Sequence, residues 1–266
     1  MTDNIFADDC LRGRVAFVTG GGTGITGGVA RALAAAGAQV ALVSRRMEHL
    51  EPAAQAINKA NENDERAIAV AADVRVPEQI EAAIKETVAR FGKIDIIVNG
   101  AAGNFLCAAE DLSPNGFGTV VDIDLKGTFN VCRAAFDELK KSQGQILNIS
   151  ATLHYGGTPL QLHVSAAKAG VDALTRNLAV EWGRYGIRTN AIAPGPIEDT
   201  EGMQRLVPEP VKEKLRRRIP LGRFGRIDDI SKCAVFLCSD AASFINGTVI
   251  AIDGGHWLTM GGLGGA

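Results

Sequence analysis

Short apolar segments alternate with longer helical patterns along almost the whole chain, and no other feature of the sequence constrains the fold as strongly. The apolar segments are rich in β-branched residues and lack a polar face, which is typical of strands buried on both sides. This alternation predicts an α/β fold in which a doubly wound parallel sheet of about seven strands carries helices on both faces. The predicted strands are 15–19, 39–43, 67–71, 94–98, 145–149, 188–192 and 248–252. The predicted helices are 24–36, 47–62, 77–91, 114–140, 163–183 and 227–238.

Bulk properties of the 266 residues exclude several classes of protein. No linker or internal repeat divides the chain, so we predict one domain over residues 1–266. The formal net charge of −2 predicts no general affinity for nucleic acid or for anionic membranes, and the apolar runs are too short to span a bilayer. The five cysteines are scattered, which predicts no disulfide framework, and the histidines lack metal-ligand spacing, which predicts no metal site. This use of cysteine is typical of a reducing, intracellular compartment.

A glycine-rich loop, residues 19–25, lies between the first predicted strand and the first predicted helix. Glycines permit a tight turn there and let backbone N–H groups approach a pyrophosphate at the helix N-terminus. This context predicts a dinucleotide site in a Rossmann-like fold, the alternative being a glycine-rich turn that binds nothing. The predicted contacts are Gly20, Gly22, Thr23, Gly24 and Ile25.

Two arginines follow the second predicted strand, where NAD-specific folds place an Asp or Glu for the ribose 2′-hydroxyl. The chain has Ser44, Arg45 and Arg46 at this point. Guanidinium groups match the geometry of phosphate, whereas a carboxylate would repel a 2′-phosphate. We therefore predict that these three residues contact NADPH. The alternative is a pair of solvated arginines at the start of a helix.

Lys168 ends a short motif, residues 164–168, and the motifs along the chain stand in a known order. Over roughly residues 11–258 the sequence resembles the short-chain dehydrogenase/reductase family. That family usually has a Tyr as proton donor four residues before the Lys, and a Ser thirteen residues before that Tyr. Val164 and Ala151 occupy these two positions here. Either the chain is a silent relative, or its chemistry does not need a phenolic acid.

The resemblance implies further contacts with the cofactor. Asp73 would touch the adenine, residues 99–101 follow the fourth strand, and residues 194–197 would lie beside the nicotinamide. Two positions depart from the family pattern, since Thr26 stands in place of a Gly and Gly100 in place of an Asn. The residues implied to bind the cofactor are Asp73, Val74, Asn99, Gly100, Ala101, Lys168, Pro194, Gly195 and Ile197.

Three stretches look like the 2,4-dienoyl-CoA reductases within this family: residues 101–106, residues 122–130, and His163 ahead of the Lys168 motif. Asp124 stands where most of the family has Asn, as in the peroxisomal-type branch. The resemblance implies that Asp124 and Lys168 hold a water that delivers a proton. Such chemistry is coherent, because reducing a double bond conjugated to a thioester leaves an enolate that is protonated at carbon rather than at oxygen.

A tyrosine is the alternative proton donor. The mitochondrial-type enzymes carry one at the position of Leu153, and this departure favours the water. Nearby Tyr155 could replace the water if its loop shifts, although an ordinary surface Tyr is the simpler interpretation.

The implied substrate is an acyl-CoA. The amide of Asn104 can donate to the thioester oxygen; the alternative is an Asn that only forms a turn. Phe105 would line the acyl pocket; the alternative is an ordinary core residue.

We interpret His163 as a hydrogen-bonded histidine at a helix start, and the basic residues 216–218 as an exposed helix face. Cations are needed for the CoA phosphates. The residues implied to bind substrate are Arg45, Arg75, Asn104, Phe105 and Arg205. Arg205 lies in a proline-rich segment at 195–220, which we predict to be a substrate loop.

The resemblance therefore implies NADPH-dependent reduction of 2,4-dienoyl-CoA to enoyl-CoA in unsaturated fatty acid β-oxidation, with Asp124, Lys168 and Asn104 as catalytic residues. A trans-2-enoyl-CoA reductase is the nearest alternative, and a silent NADPH-binding regulator is the other. Family members pair as homotetramers through the long helices. The last three residues, Gly-Gly-Ala, differ from a peroxisomal Ser-Lys-Leu-like signal, so we expect a cytoplasmic protein. We expect the glycine-rich tail at 261–266 to be flexible unless it packs against another subunit.

Overall fold

The computed structural model describes residues 6–7, 9–61 and 65–259, apart from the side chains of residues 201, 205, 206 and 210. The predicted tail at 261–266 lies outside these residues. In the described chain, seven parallel strands form one sheet, as the sequence predicts. The strands are β1 (Val15–Thr19), β2 (Gln39–Ser44), β3 (Ala67–Ala71), β4 (Ile96–Asn99), β5 (Gln145–Ile149), β6 (Arg188–Pro194) and β7 (Val249–Ile252). Their order in the sheet is β3-β2-β1-β4-β5-β6-β7.

Helices cover both faces of the sheet and bury two separate apolar clusters. Neighbouring residues of β1 point in opposite directions, so Val18 joins the cluster with the helices at residues 24–35, 47–60 and 227–238, while Phe17 joins the cluster with the helices at residues 77–91, 127–142 and 162–182. None of the described helices is long and apolar enough to cross a membrane. The helices are α1 (Gly24–Ala35), α2 (Met47–Ala60), α3 (Pro77–Phe91), α4 (Pro114–Val121), α5 (Gly127–Ser142), α6 (Leu162–Trp182), α7 (Glu201–Leu206), α8 (Glu209–Arg217) and α9 (Ile227–Cys238).

A π-helical turn interrupts the segment that the sequence predicts as one helix over 114–140. This turn, Asp122–Lys126, joins α4 to α5 without a break in the chain direction. The extra residue in a π-helical turn changes the direction of the side chains around it, and such turns are frequent at functional sites. Asp124 lies at the centre of the turn and is completely buried. Apolar periodicity does not reveal a single extra residue, so the sequence did not predict this feature.

The proline-rich segment at 195–220 contains two short helices rather than a plain loop. Thr200 caps α7, because its hydroxyl accepts a hydrogen bond from the Met203 N–H at 3.2 Å. Apolar side chains below the helices form a small cluster of their own, with Met203, Ile219 and Phe224 buried. These contacts pack α7 and α8 against the residues that follow them.

Candidate active site

The strand order reverses between β1 and β4, and the loops after these two strands lie at the carboxyl edge of the sheet. Ligands of open α/β sheets bind in the crevice at such a switch point. Parallel strands bring the residues after β1, β2, β4, β5 and β6 to this one edge. The predicted site residues that follow those strands therefore lie at the same edge.

The glycine-rich loop after β1 has a shape that suits a pyrophosphate. Gly20 and Gly24 adopt left-handed conformations with φ of +69° and +57°, which favour glycine. A Cβ atom on Gly20 would lie 2.8 Å from the Gly100 carbonyl oxygen, whereas the space beside Gly24 is open. Thr23, the N-cap of α1, makes no side-chain cap hydrogen bond. The first N–H groups of α1 are therefore not capped by its side chain, and the residues fit a nicotinamide dinucleotide.

The two departures from the family pattern face each other across this loop. A Cβ atom on Gly100 would collide with the Thr26 methyl group. The Thr26 hydroxyl donates to the Gly20 carbonyl oxygen at 2.7 Å. Thr26 thus occupies the space that a side chain at position 100 would need, and the two substitutions are complementary.

The predicted 2′-phosphate contacts lie at the end of β2. Arg45 and Arg46 are exposed, and the Ser44 hydroxyl oxygen accepts a hydrogen bond from the Arg46 N–H at 3.4 Å. No acidic side chain occupies residues 44–46. This end of β2 is positively charged on its exposed side.

Asp73 and Arg75, predicted for the adenine and for CoA, bind each other. The Arg75 guanidinium donates to both carboxylate oxygens of Asp73, with its terminal nitrogen 2.6 Å from Oδ2. This pairing lowers the pKa of the Asp73 carboxyl. Val74 between them is buried. The Arg75 charge is therefore shared with Asp73.

The residues after β4 contribute backbone rather than side chains to the crevice. Asn99 is buried, and its amide donates to Asn148 Oδ1 at 2.9 Å. The N–H groups of Gly100 and Ala101 donate to the Thr19 hydroxyl oxygen at 3.1 and 3.3 Å. Sequence reasoning missed this role of Thr19, although the residue begins the glycine-rich loop.

The turn after β6 is tightly packed. A Cβ atom on Gly195, the residue after Pro194, would collide with Asp253. Ile197 is buried and pairs with Gly225 in an isolated bridge. The described chain thus places residues 194–197 at the same edge as the glycine-rich loop, where the resemblance puts the nicotinamide.

Asp124 and Lys168 form a buried ion pair in which Lys168 Nζ lies 3.2 Å from Asp124 Oδ2. The other carboxylate oxygen of Asp124 accepts a hydrogen bond from the Gly103 N–H at 2.7 Å. Lys168 also donates to the Ile149 carbonyl oxygen at 2.9 Å. The π-helical turn, α6 and the end of β5 thus converge on one charged pair. Gly103 and Ile149 act through backbone atoms, so their side-chain identities could not reveal them.

Apolar side chains occupy the place of the missing phenol. Val164 is buried in a small cluster with Val120 and Ala167, and Leu153 packs against it. Tyr155 is directed elsewhere, because its ring packs edge-on against His154 and Trp257, with centroid distances of 4.6 and 5.3 Å. Burial, with the Asp172 carboxylate nearby, raises the pKa of the Tyr155 phenol to about 12.

Asn104, Phe105 and His163 form the wall beside the pair. The Asn104 amide donates to Gln161 Oε1 at 3.2 Å, and the Phe105 ring stacks on His163 with 4.2 Å between centroids. Phe105 is 37% exposed, so the interpretation as an ordinary core residue is wrong. The expected hydrogen-bonded state of His163 is also wrong, since neither ring nitrogen has a partner in the described chain.

The remaining predicted cations differ in how far the structure describes them. The side chain of Arg205, on α7, lies outside the described residues. Arg216 and Arg217 are exposed on α8 and both pair with Glu213, which lowers the pKa of that carboxyl. In the described chain, no group of three or more His, Cys, Asp or Glu residues could hold a metal ion.

Comparison with known proteins agrees with this geometry. The family described as enoyl-(acyl carrier protein) reductase matches residues 20–256. The peroxisomal 2,4-dienoyl-CoA reductase of Saccharomyces cerevisiae, named as (3E)-enoyl-CoA-producing, is 50% identical over 97% of this chain and 88% of its own length. A Bacillus subtilis protein named a probable 2,4-dienoyl-CoA reductase, (2E)-enoyl-CoA-producing, is 44% identical over 92% of this chain and 97% of its own.

A solved structure of a similar protein has the same fold. The crystal structure of a short chain dehydrogenase from Bacillus anthracis matches with a TM-score of 0.84 and 41% identity, covering 92% of this chain and 97% of that one. The fold and the crevice define a dinucleotide-binding oxidoreductase. The chain belongs to the short-chain dehydrogenase/reductase family, as its motifs indicate, and a nicotinamide cofactor follows from that membership.

Proposed function

We propose that this protein uses NADPH to reduce 2,4-dienoyl-CoA thioesters to enoyl-CoA, as in the β-oxidation of unsaturated fatty acids. The observation that carries the proposal is the buried Asp124–Lys168 pair, beside a site in which Val164 and Leu153 replace any phenolic acid. An alcohol or ketone reductase would need an acid aimed at oxygen. The names of the yeast and Bacillus relatives support the same substrate class.

Asp124 and Lys168 hold the water that protonates the substrate at carbon. Asp124 Oδ2 is buried and, apart from its ion pair with Lys168, has no hydrogen-bond partner in the described chain. A water on this oxygen and on a free N–H of Lys168 has two polar partners, which is sufficient for a buried water. When bound, the cofactor would supply a hydride. The water gives its proton to carbon, and the hydroxide that remains takes a proton from the Lys168 ammonium. Asn104 donates to the thioester oxygen, on which the negative charge develops.

NADPH rather than NADH fits the residues after β2. Arg45 and Arg46 are both exposed and carry the only charges at residues 44–46, which suits a 2′-phosphate. The glycine-rich loop, residues 73–74, residues 99–101, Lys168 and residues 194–197 hold the rest of the cofactor.

The CoA end of the substrate is bound by cations around the mouth of the crevice. Arg45 and Arg75 lie on two adjacent loops, after β2 and β3, and Arg205 lies on α7. The Asp73 carboxylate holds the Arg75 guanidinium in place through a bidentate contact. Phe105 lines the acyl pocket, and α7 and α8 form the substrate segment. The acyl-CoA site is thus built from loops at the same edge as the cofactor site.

A substrate panel tests the proposal. NADPH consumption is measured with 2,4-hexadienoyl-CoA, 2-hexenoyl-CoA and a simple ketone under identical conditions, and the product is identified by NMR. We expect turnover with the dienoyl thioester well above the other two. Preference for 2-hexenoyl-CoA would identify a trans-2-enoyl-CoA reductase instead. NADPH binding without turnover of any of the three substrates would indicate a silent regulator.

A further inference from the structure

His163, the second residue of α6, is completely buried and yet unsatisfied. Neither of its ring nitrogens has a hydrogen-bond partner within the described residues. A neutral imidazole carries one donor and one acceptor, and both are costly to bury without partners. Buried polar groups are nearly always hydrogen-bonded, so an unsatisfied one indicates a missing partner.

The place of His163 indicates where that partner comes from. Phe105 stacks almost parallel on the imidazole, with 22° between the rings, and is itself 37% exposed. A single aromatic ring therefore separates His163 from the exposed side of the crevice. Phe105 lies on the segment between β4 and α4, which forms neither helix nor strand at that point, so its ring can turn without disrupting a hydrogen-bond ladder.

A second polar side chain is tied to the start of the same helix. Asn104, the residue before Phe105, donates to Gln161, two residues before His163. This hydrogen bond and the stack of Phe105 on His163 both join the loop after β4 to the start of α6. A thioester carbonyl oxygen, which accepts two hydrogen bonds, matches donors from Asn104 and His163.

We propose that His163 contacts the substrate, donating a ring N–H to the thioester oxygen beside Asn104 once Phe105 turns aside. This inference rests on the proposed function. The imidazole gives up no proton, since its role is to stabilise the negative charge that develops on the oxygen. Two donors from separate elements then form an oxyanion site for the charge that develops in the transition state.

Opposite changes in stability and in turnover test the role of His163. His163→Leu removes an unsatisfied polar group, so we expect a higher Tm, unchanged NADPH affinity, and kcat for 2,4-hexadienoyl-CoA lowered on the order of 10²-fold. His163→Gln keeps an N–H donor and should recover part of kcat. Thr189→Val is the matched control, because the Thr189 hydroxyl is also buried and unpartnered but lies in β6, and it should keep full turnover.

Two results of these variants would overturn the role. A His163→Leu protein with raised Tm and wild-type kcat would show that the ring only packs. A lowered Tm in both His163 variants, with NADPH affinity retained, would show an internal partner that serves the fold.

A binding measurement separates this inference from the proposed function. The protein is labelled with ¹⁵N-histidine, and the His163 ring signals are assigned by their loss in His163→Gln. The probe is hexanoyl-CoA, a saturated thioester that has no reducible double bond. We expect the His163 ring signals to shift on addition of hexanoyl-CoA but not of CoA alone. Signals that stay fixed at saturating thioester contradict the contact, even if dienoyl-CoA is reduced. Shifted signals together with no dienoyl-CoA reduction would retain the contact and reject the proposed reaction.

Discussion

Lys168 reaches from α6 to Asp124 in the π-helical turn, and the two side chains form an ion pair with Nζ and Oδ2 3.2 Å apart. Both side chains are buried, with 7% and 0% of their side-chain surface exposed. Each charge needs the other, because the loss of one partner leaves an uncompensated charge away from water. The pair is thus a structural element as well as the proposed source of the proton.

Replacement of the cation tests this dual role. We expect Lys168→Ala to lower the free energy of unfolding by about 3–5 kcal/mol, and to weaken both NADPH binding and turnover. Lys126→Ala is a matched control, since Lys126 pairs with Asp122 in the same turn but both side chains are exposed. Its effect on stability should stay within about 1 kcal/mol. Equal, small effects of the two changes in chemical denaturation would contradict a buried pair.

Cofactor choice should depend on Arg45. A charge-assisted hydrogen bond contributes about 1.5–3 kcal/mol, so Arg45→Asp should raise the Michaelis constant for NADPH about 10- to 100-fold. The constant for NADH, which lacks the 2′-phosphate, should change far less. Arg31→Asp, on the exposed side of α1, controls for the altered net charge. Steady-state kinetics with both cofactors decides the matter, and equal effects on the two would reject the 2′-phosphate contact.

Thr26 and Gly100 should be energetically coupled. Gly100→Asn forces a side chain into the space of the Thr26 methyl group, and overpacking of this kind costs about 1–3 kcal/mol. We expect Thr26→Gly to relieve most of that cost when the two changes are combined. A double-mutant cycle by chemical denaturation measures the coupling. Additive effects, with no rescue in the double variant, would mean that the two positions are independent.

This pair also illustrates what the sequence could and could not predict. Strand and helix periodicity predicts the sheet, and parallel strands necessarily bring Asp73, Asn99 and Pro194 to one edge. Periodicity says nothing about contacts between loops. The complementarity of Thr26 and Gly100 and the bidentate contact between Asp73 and Arg75 were therefore revealed only by the structure. The same is true of the π-helical turn around Asp124, which adds one residue to an otherwise regular helix.

Association into a homotetramer remains a prediction that two side chains support. Phe129 on α5 and Val180 on α6 are 49% and 82% exposed, although both are apolar. Burial of these helix faces against other copies of the chain would remove this apolar surface from water. Light scattering at micromolar protein concentration should give the mass of four chains, and Val180→Lys should shift the distribution to smaller species. A monomeric wild-type protein would contradict the prediction.

The identity of the proton donor is the central claim, and Asp124 and Tyr155 are the two candidates. The Tyr155 phenol, with its pKa raised to about 12, stays protonated near neutral pH and packs against Trp257 rather than at the Asp124–Lys168 pair. The most direct measurement compares kcat of Asp124→Ala and Tyr155→Phe with 2,4-hexadienoyl-CoA and saturating NADPH. We expect Asp124→Ala to bind NADPH nearly normally and to lower kcat on the order of 10²–10⁴-fold, while Tyr155→Phe stays close to wild type. Loss of turnover in Tyr155→Phe, with Asp124→Ala still active, would contradict the water mechanism and make Tyr155 the acid.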